Sequence, residues 1–126
     1  MPFSALFRCL PLLAALGCSV SLSSRTDDYD SDLALDTLSA ALEAWKDGNV
    51  KVLVSLDSPI RFLDDDQLAG FRLVDYELVS PAQSVRPFKD VPVSLTLAKG
   101  NGAPITRAAV YQVSLEPDRA VLRSDP

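Results

Sequence analysis

The sequence has no histidine and only two cysteines, Cys9 and Cys18, which both lie near its N terminus. The lack of histidine removes the most common general base, the most common transition-metal ligand and the usual pH switch. Beyond Cys18 the chain has no thiol, which excludes a disulfide and a soft metal ligand there. It also carries no catalytic or cofactor signature. We therefore predict that the protein is not an enzyme and that it uses neither a cofactor nor a metal.

Positive charge is also scarce, since 12 lysines and arginines stand against 17 acidic residues and the formal net charge is −5. An acidic chain has no electrostatic attraction to nucleic acid. An anionic bilayer surface would also repel it. We therefore predict no nucleic-acid partner, and attachment to a membrane would need an anchor other than a basic patch.

The apolar run near the N terminus is short. It extends over Cys9–Leu16, contains Pro11, and falls well below the ~18–20 residues that a membrane-spanning helix needs. Arg8 precedes the run and Gly17 follows it. A positive start, a short apolar middle and a small residue at the end are typical of a secretory signal.

The end of this run, Leu13-Ala14-Ala15-Leu16-Gly17-Cys18, resembles the lipobox of bacterial lipoproteins. The resemblance implies that residues 1–17 are a signal peptide that is removed and that Cys18 is lipidated through its sulfur. The lipid would then anchor the protein in a membrane of the cell envelope, facing the periplasm or the exterior. The alternative is an ordinary signal peptide that is cut before Ser24, in which case Cys18 is incidental.

Two further regions follow the signal. Residues 18–31 are rich in serine and aspartate and have few large apolar side chains, so we predict a flexible tether. Residues 32–126 are predicted to form a single domain, because about a hundred residues suffice for one core.

One long amphipathic helix is predicted over Asp32–Asp47. Its apolar stripe, at three- and four-residue spacing, consists of Leu35, Leu38, Leu42 and Trp45. Ser31 is suited to cap its first turn, and Gly48 to end it in a left-handed conformation. The stripe covers one side only, so the helix is expected to lie on a flat surface. Trp45 is more readily a core residue than the rim of a pocket.

Strands are predicted where apolar and polar residues alternate. These segments are Ile60–Phe62, Phe71–Leu78, Val91–Leu97, Ala109–Leu115 and Ala120–Arg123. Within Phe71–Leu78 the apolar residues change parity, which indicates a bulge or a bend. One apolar and one polar face are typical of an antiparallel sheet that is half in water. The predicted fold class is therefore α+β, with one long helix packed on an antiparallel sheet of about four to five strands.

A helix followed by a meander of long strands resembles the cystatin-like folds, which include the nuclear transport factor two-like domains and ketosteroid isomerase. Four segments also look like uncharacterised bacterial lipoproteins of this size: Trp45–Gly48, Asp64–Gly70, Leu73–Tyr76 and Val110–Val113. The resemblance implies a curved sheet and a second short helix after the first. The alternation in Val50–Leu56 favours a strand there instead, and the sequence leaves both possibilities open.

The cystatin-like folds include enzymes, and the resemblance to them implies a pocket between helix and sheet that holds a carboxylate base and a tyrosine donor. Asp75, Glu77, Tyr76 and Tyr111 are the only residues here that could be combined in that way. Asp75 and Glu77 have the opposite parity to Tyr76, so they should not converge on one substrate atom. We therefore expect core tyrosines and solvated carboxylates.

Two sets of charged residues each allow a ligand-binding and a structural interpretation. Asp64-Asp65-Asp66 could hold a hard cation, but a turn whose aspartates cap backbone groups is the simpler interpretation. Asp64 and Asp75 are taken to be solvated. The basic residues of the C-terminal third are predicted to lie on a solvated face of the sheet rather than to form an anion site. They are Lys99, Arg107, Arg119 and Arg123.

The sequence thus predicts a lipid-anchored protein of the cell envelope whose domain is a non-enzymatic interaction or structural module. Its partner would be an envelope protein or another envelope component, bound through a face or an edge of the sheet. The alternative is a domain that binds a small ligand, or an isomerase-like domain. Its pocket would lie between the Leu35–Trp45 stripe and the Val91–Leu97 strand.

Overall fold

The computed structural model of the chain describes residues 30–125. The helix α1 covers residues 30–46, and a 3₁₀ segment follows at Val50–Ser55. The remaining helices and strands are β1 (Ile60–Leu63), the short helix α2 (Asp65–Leu68), β2 (Arg72–Leu78), a 3₁₀ turn (Ala82–Ser84), β3 (Val91–Ala98), β4 (Ile105–Ser114) and β5 (Arg119–Arg123).

The five strands form one sheet in the order β1-β5-β4-β3-β2. The pairs β2–β3, β3–β4 and β4–β5 are antiparallel, whereas β1 and β5 are parallel, with Ile60 opposite Arg119. The fold class is therefore α+β, but the prediction of a purely antiparallel sheet is wrong. A parallel pair needs a long connection, and the chain between β1 and β5, which includes three other strands, provides one.

The helix α1 ends close to its predicted end and is closed by the backbone. The N–H of Asn49 donates to the Ala44 carbonyl at 2.9 Å, and the N–H of Gly48 donates to the Trp45 carbonyl at 3.0 Å. Gly48 has φ +76°, the left-handed conformation that this Schellman arrangement requires. At the other end the predicted role of Ser31 is wrong. Ser31 lies within the helix and its hydroxyl donates to the Val85 carbonyl at 2.7 Å.

The predicted core is formed. The stripe residues Leu38, Leu42 and Trp45 are buried and belong to one hydrophobic cluster with the inward residues of β3 and β4. Those inward residues are Val91, Val93, Leu95, Leu97, Ala109, Tyr111 and Val113. Trp45 is 4% exposed, its ring centroid lies 5.9 Å from that of Phe62, and its Nε1 donates to the Phe71 carbonyl at 2.9 Å. It is therefore a core residue.

The strand favoured over Val50–Leu56 is wrong, because Val50–Ser55 is a 3₁₀ helix in which only Leu53 is buried. Three of the four apolar residues that the alternation placed on one face, Val52, Val54 and Leu56, are exposed. With three residues per turn, Val50 and Leu53 point the same way, and Val50 is partly buried against the core beside the buried Leu53.

The bulge predicted in β2 is present. The pairing with β3 shifts between Leu73 and Asp75, which leaves Val74 without an opposite residue. As a result Leu73 and Tyr76 both turn towards the core, while Val74 is exposed. The extra residue explains the change of parity in the sequence.

Candidate functional site

Asp64 lies between β1 and α2, and its side chain caps that short helix. Its Oδ1 accepts hydrogen bonds from the backbone N–H groups of Asp66 and Gln67, at 2.8 and 3.0 Å. Aspartate is a preferred residue at a helix N-cap because its oxygen satisfies N–H groups that have no partner within the helix. The capping interpretation is therefore confirmed. The expectation that Asp64 is solvated is wrong, since its side chain is 0% exposed.

The buried carboxylate of Asp64 is also held by residues far away in the sequence. The Tyr111 hydroxyl donates to its Oδ2, and Nη1 of Arg123 lies 3.2 Å from both of its oxygens. The same Nη1 donates to Asp66 at 3.0 Å, and Arg107 donates to the other oxygen of Asp66. A buried charge is tolerated when it is paired and hydrogen-bonded in this way.

Asp125 completes the arrangement. Its Oδ1 accepts from Nε of Arg123 and from the Val110 N–H, the latter at 2.9 Å. Three aspartates therefore surround one arginine whose side chain is only 7% exposed. We call the following side chains the ion cluster: Asp64, Asp66, Arg107, Tyr111, Arg123 and Asp125.

The pKa values of three groups in the cluster, Tyr111, Arg123 and Asp125, are moved away from neutrality. Burial raises the pKa of Tyr111, and its hydrogen bond to Asp64 adds to this effect. Burial acts to lower the pKa of Arg123, but hydrogen bonds to Asp125 and Asp66 outweigh it, so the pKa is raised. Burial acts to raise the pKa of Asp125, but hydrogen bonds from Arg123 and Val110 outweigh it, so the pKa is lowered. None of these three groups is prepared for proton transfer near pH 7.

A polar depression of about 290 Å³ lies beside the cluster and is lined by Asp65, Asp66, Arg107, Arg123 and Asp125. Within residues 30–125, no group of three or more acidic residues is arranged to hold a metal ion. The oxygens of the buried aspartates accept instead from arginine, tyrosine and backbone N–H groups. The ion cluster therefore has a structural role, because it links the end of β1 and α2 to β4 and β5.

The residues considered for catalysis do not converge. The Tyr76 hydroxyl donates to Glu43 of α1 at 2.7 Å, and Asp75 lies 3.6 Å from Lys46. Asp75 and Glu77 are exposed on the opposite face of β2 from Tyr76, and Tyr111 belongs to the ion cluster. As the parity of β2 predicts, Asp75 and Glu77 do not share a face of β2 with Tyr76.

The pocket expected between helix and sheet is absent from its predicted place. Leu38 and Leu42 of α1 and Leu95 of β3 are 0% exposed and belong to one core, so side chains fill that space. The location that the ligand-binding alternative required is therefore not available.

A groove of about 420 Å³ opens elsewhere, along β1 and beneath the 3₁₀ segment. Its apolar lining comes from Val50, Leu53, Val54, Pro59, Ile60 and Phe62. Its polar lining comes from Arg61, Gln67, Asp118 and Arg119. We call this feature the β1 groove. The sequence does not predict this groove, because the alternation in the 3₁₀ segment that forms one of its walls favours a strand.

Arg119 enters the β1 groove from the first position of β5. Its Nη2 donates to the Ser58 carbonyl at 2.7 Å, and its Nη1 lies 3.4 Å from the hydroxyl of Thr37 on α1. Its Nε is buried and has no hydrogen-bond partner within residues 30–125. Among the same residues no carboxylate lies within ion-pair distance of Arg119. Arg119 is thus a half-buried cation whose direct hydrogen-bond partners, a carbonyl and a hydroxyl, are neutral.

The prediction of a common solvated face for the four basic residues is wrong for Arg119 and Arg123. Lys99 is exposed, and the Arg107 side chain is 41% exposed although it pairs with Asp66. Arg123 is buried in the ion cluster, and Arg119 lines the β1 groove. The partners of Arg123 in Asp64 and Asp66 lie 59 and 57 residues away in the sequence. Local alternation carries no information on such pairs.

The predicted signal peptide, Cys18 and most of the predicted tether lie outside the described residues. No helix within residues 30–125 has the length and apolar character needed to cross a membrane. Comparisons of the chain with models of protein families, with curated proteins and with solved structures gave no match.

Proposed function

We propose that the protein is a bacterial lipoprotein, anchored in the cell envelope through Cys18. Its domain, which we assign to the cystatin-like folds, is a non-enzymatic module that binds an envelope component. The observation that carries the proposal is the β1 groove, an open and mainly apolar surface at one edge of the sheet. Apolar surface that stays open to water marks a site of interaction.

The exposed apolar side chains support this assignment by their distribution. Nine large ones are exposed among the described residues, and five of these belong to the stretch that contains the 3₁₀ segment, β1 and α2. The five are Val52, Val54, Leu56, Leu63 and Leu68. Most of the exposed apolar side chains therefore come from the segments that build the groove, and one of them, Val54, lines it.

The opposite edge of the sheet has the features of a protected edge. Strand β2 has a bulge at Val74, and Arg72, Asp75 and Glu77 are exposed along it. Charges and bulges at an edge strand discourage another chain from pairing with it. Strand β1 pairs with β5 without a bulge, and the single charge among its four residues, Arg61, lines the groove. The contrast favours the β1 edge as the binding edge.

The anchor is tested by Cys18→Ser. We expect the wild-type protein to fractionate with membranes and to carry an acylated N terminus at Cys18 in mass spectra. The variant should move to the soluble fraction or remain unprocessed, because it lacks the sulfur that accepts the lipid. A wild-type protein with a free N terminus downstream of Cys18 would overturn the lipoprotein assignment.

The binding surface is tested by a photo-crosslinking amino acid placed at Val54 in the intact lipoprotein in cells. Val54 is 70% exposed in the wall of the groove, and Val79, which is 66% exposed and lies outside it, provides a matched control. We expect a discrete adduct, of protein or of lipid, from position 54 and none from position 79. Equal adducts from both positions, or none from either, would contradict the proposed function.

A further inference from the structure

We propose that the β1 groove binds a single-chain amphiphile with an anionic head, whose head lies at Arg119 and whose apolar chain lies along β1. This inference rests on the proposed function, since it names the class of ligand for the same groove. It depends on one additional observation: no carboxylate within residues 30–125 forms an ion pair with Arg119.

The two arginines of β5 show how this charge differs from the others. Arg123 is surrounded by three carboxylates, whereas half-buried Arg119 has only a carbonyl and a hydroxyl as partners within residues 30–125. A cation that is withdrawn from water is normally paired with an anion. The Ser58 carbonyl and the Thr37 hydroxyl already fix the guanidinium, so an anion would meet a group held in place. An anionic ligand would therefore supply the direct ion-pair partner that Arg119 lacks within residues 30–125.

The charges around the groove favour an anion in particular. Two arginines, Arg61 and Arg119, and one aspartate, Asp118, line it, so the groove is locally positive in a chain whose net charge is −5. Guanidinium groups form pairs of hydrogen bonds with the oxygens of planar carboxylates and tetrahedral phosphates.

The shape of the groove fits one apolar chain. Arg119 pairs with Ile60 at the start of β1, and Gln67 lies in α2, beyond the end of the strand. Three steps along β1 span about 10 Å at the usual rise of a strand. The lining between these two ends is mainly apolar, with Arg61 as the charged residue of β1, and the volume of about 420 Å³ is within the usual range of ~300–1,000 Å³ for small-molecule sites.

The test is a calorimetric titration of the full chain carrying Cys18→Ser with decanoate, decyl phosphate and decanol. We expect saturable binding of one molecule for each of the two anions, and at least tenfold weaker binding of decanol. The relative affinities of decanoate and decyl phosphate then distinguish a free fatty acid from a phosphate-bearing lipid as the source of the ligand.

Two pairs of variants localise the binding. Arg119→Gln should reduce the affinity for decanoate to that for decanol, whereas Arg72→Gln, at an exposed position outside the groove, should leave it unchanged. Because Arg119 also holds Ser58 and Thr37, a second pair avoids the risk of misfolding. Val54→Asp should weaken the binding of decanoate at least tenfold, and Val79→Asp should have no effect.

Equal affinities for decanoate and decanol, or binding that Val54→Asp leaves unchanged, would overturn the inference. Absence of amphiphile binding together with a protein adduct at position 54 would overturn the inference and leave the proposed function standing. No adduct at position 54 in cells, with normal binding of decanoate in solution, would overturn the function in the envelope and leave the binding chemistry standing.

Discussion

Replacement of Asp64 with alanine is expected to lower the free energy of unfolding by about 3–5 kcal/mol, the usual cost of removing one partner from a buried ion pair. The substitution removes the cap of α2, leaves the buried Tyr111 hydroxyl without its acceptor, and takes one carboxylate from Arg123. Denaturant unfolding of the full Cys18→Ser chain, with and without the substitution, measures the effect.

Asp75→Ala is the matched control for this experiment. Asp75 is exposed, and the one ion pair that it forms within residues 30–125, to Lys46, is on the surface, so we expect the free energy of unfolding to fall by less than about 1 kcal/mol. Asp64→Asn should fall between the two variants, because the amide oxygen can still accept from the backbone but carries no charge. If Asp64→Ala is no more destabilising than Asp75→Ala, the ion cluster does not form in solution.

Replacement of Trp45 with alanine is also expected to cost about 3–5 kcal/mol, as large aromatic truncations in cores do. The ring is almost fully buried between α1 and the sheet, and its contact with Phe62 and its hydrogen bond to the Phe71 carbonyl would both be lost. The same denaturant series measures this loss, which is a large part of the ~5–15 kcal/mol that stabilises a typical domain.

Leu68→Ala provides the control for Trp45, because Leu68 is exposed and should change the free energy of unfolding by less than about 0.5 kcal/mol. Trp45→Phe separates packing from hydrogen bonding, since it retains an aromatic ring but has no donor for the Phe71 carbonyl. A nearly neutral Trp45→Ala would mean that the apolar stripe of α1 does not face the sheet.

The features that the sequence predicts correctly are those with a local signal. The apolar stripe of α1, the glycine at its end, the alternation of β3 and the change of parity in β2 each depend on residues within one element. The capping role of Asp64 is of the same kind, since its carboxylate accepts from the N–H groups two and three residues ahead.

The features that the sequence does not predict depend on which elements meet. The parallel pairing of β1 with β5 brings Arg123 to Asp64 and places Arg119 beside Ile60. The alternation within each strand is the same for parallel and antiparallel neighbours, so neither the ion cluster nor the charge in the β1 groove could be anticipated. The groove also needs the 3₁₀ segment, whose β-branched residues favoured a strand.

The cap at Asp64 joins the ion cluster to the β1 groove. Gln67 lines the groove, and its backbone N–H is bonded to the carboxylate that Arg123 and Tyr111 hold. A helix of four residues is not stable by itself, so the ion cluster determines the shape of the groove near Gln67. A substitution in the cluster would then change ligand affinity without touching the ligand. Loss of binding in such a variant would show that the cluster supports the groove. Residues that do not touch the ligand would then be under the same selection as residues that do.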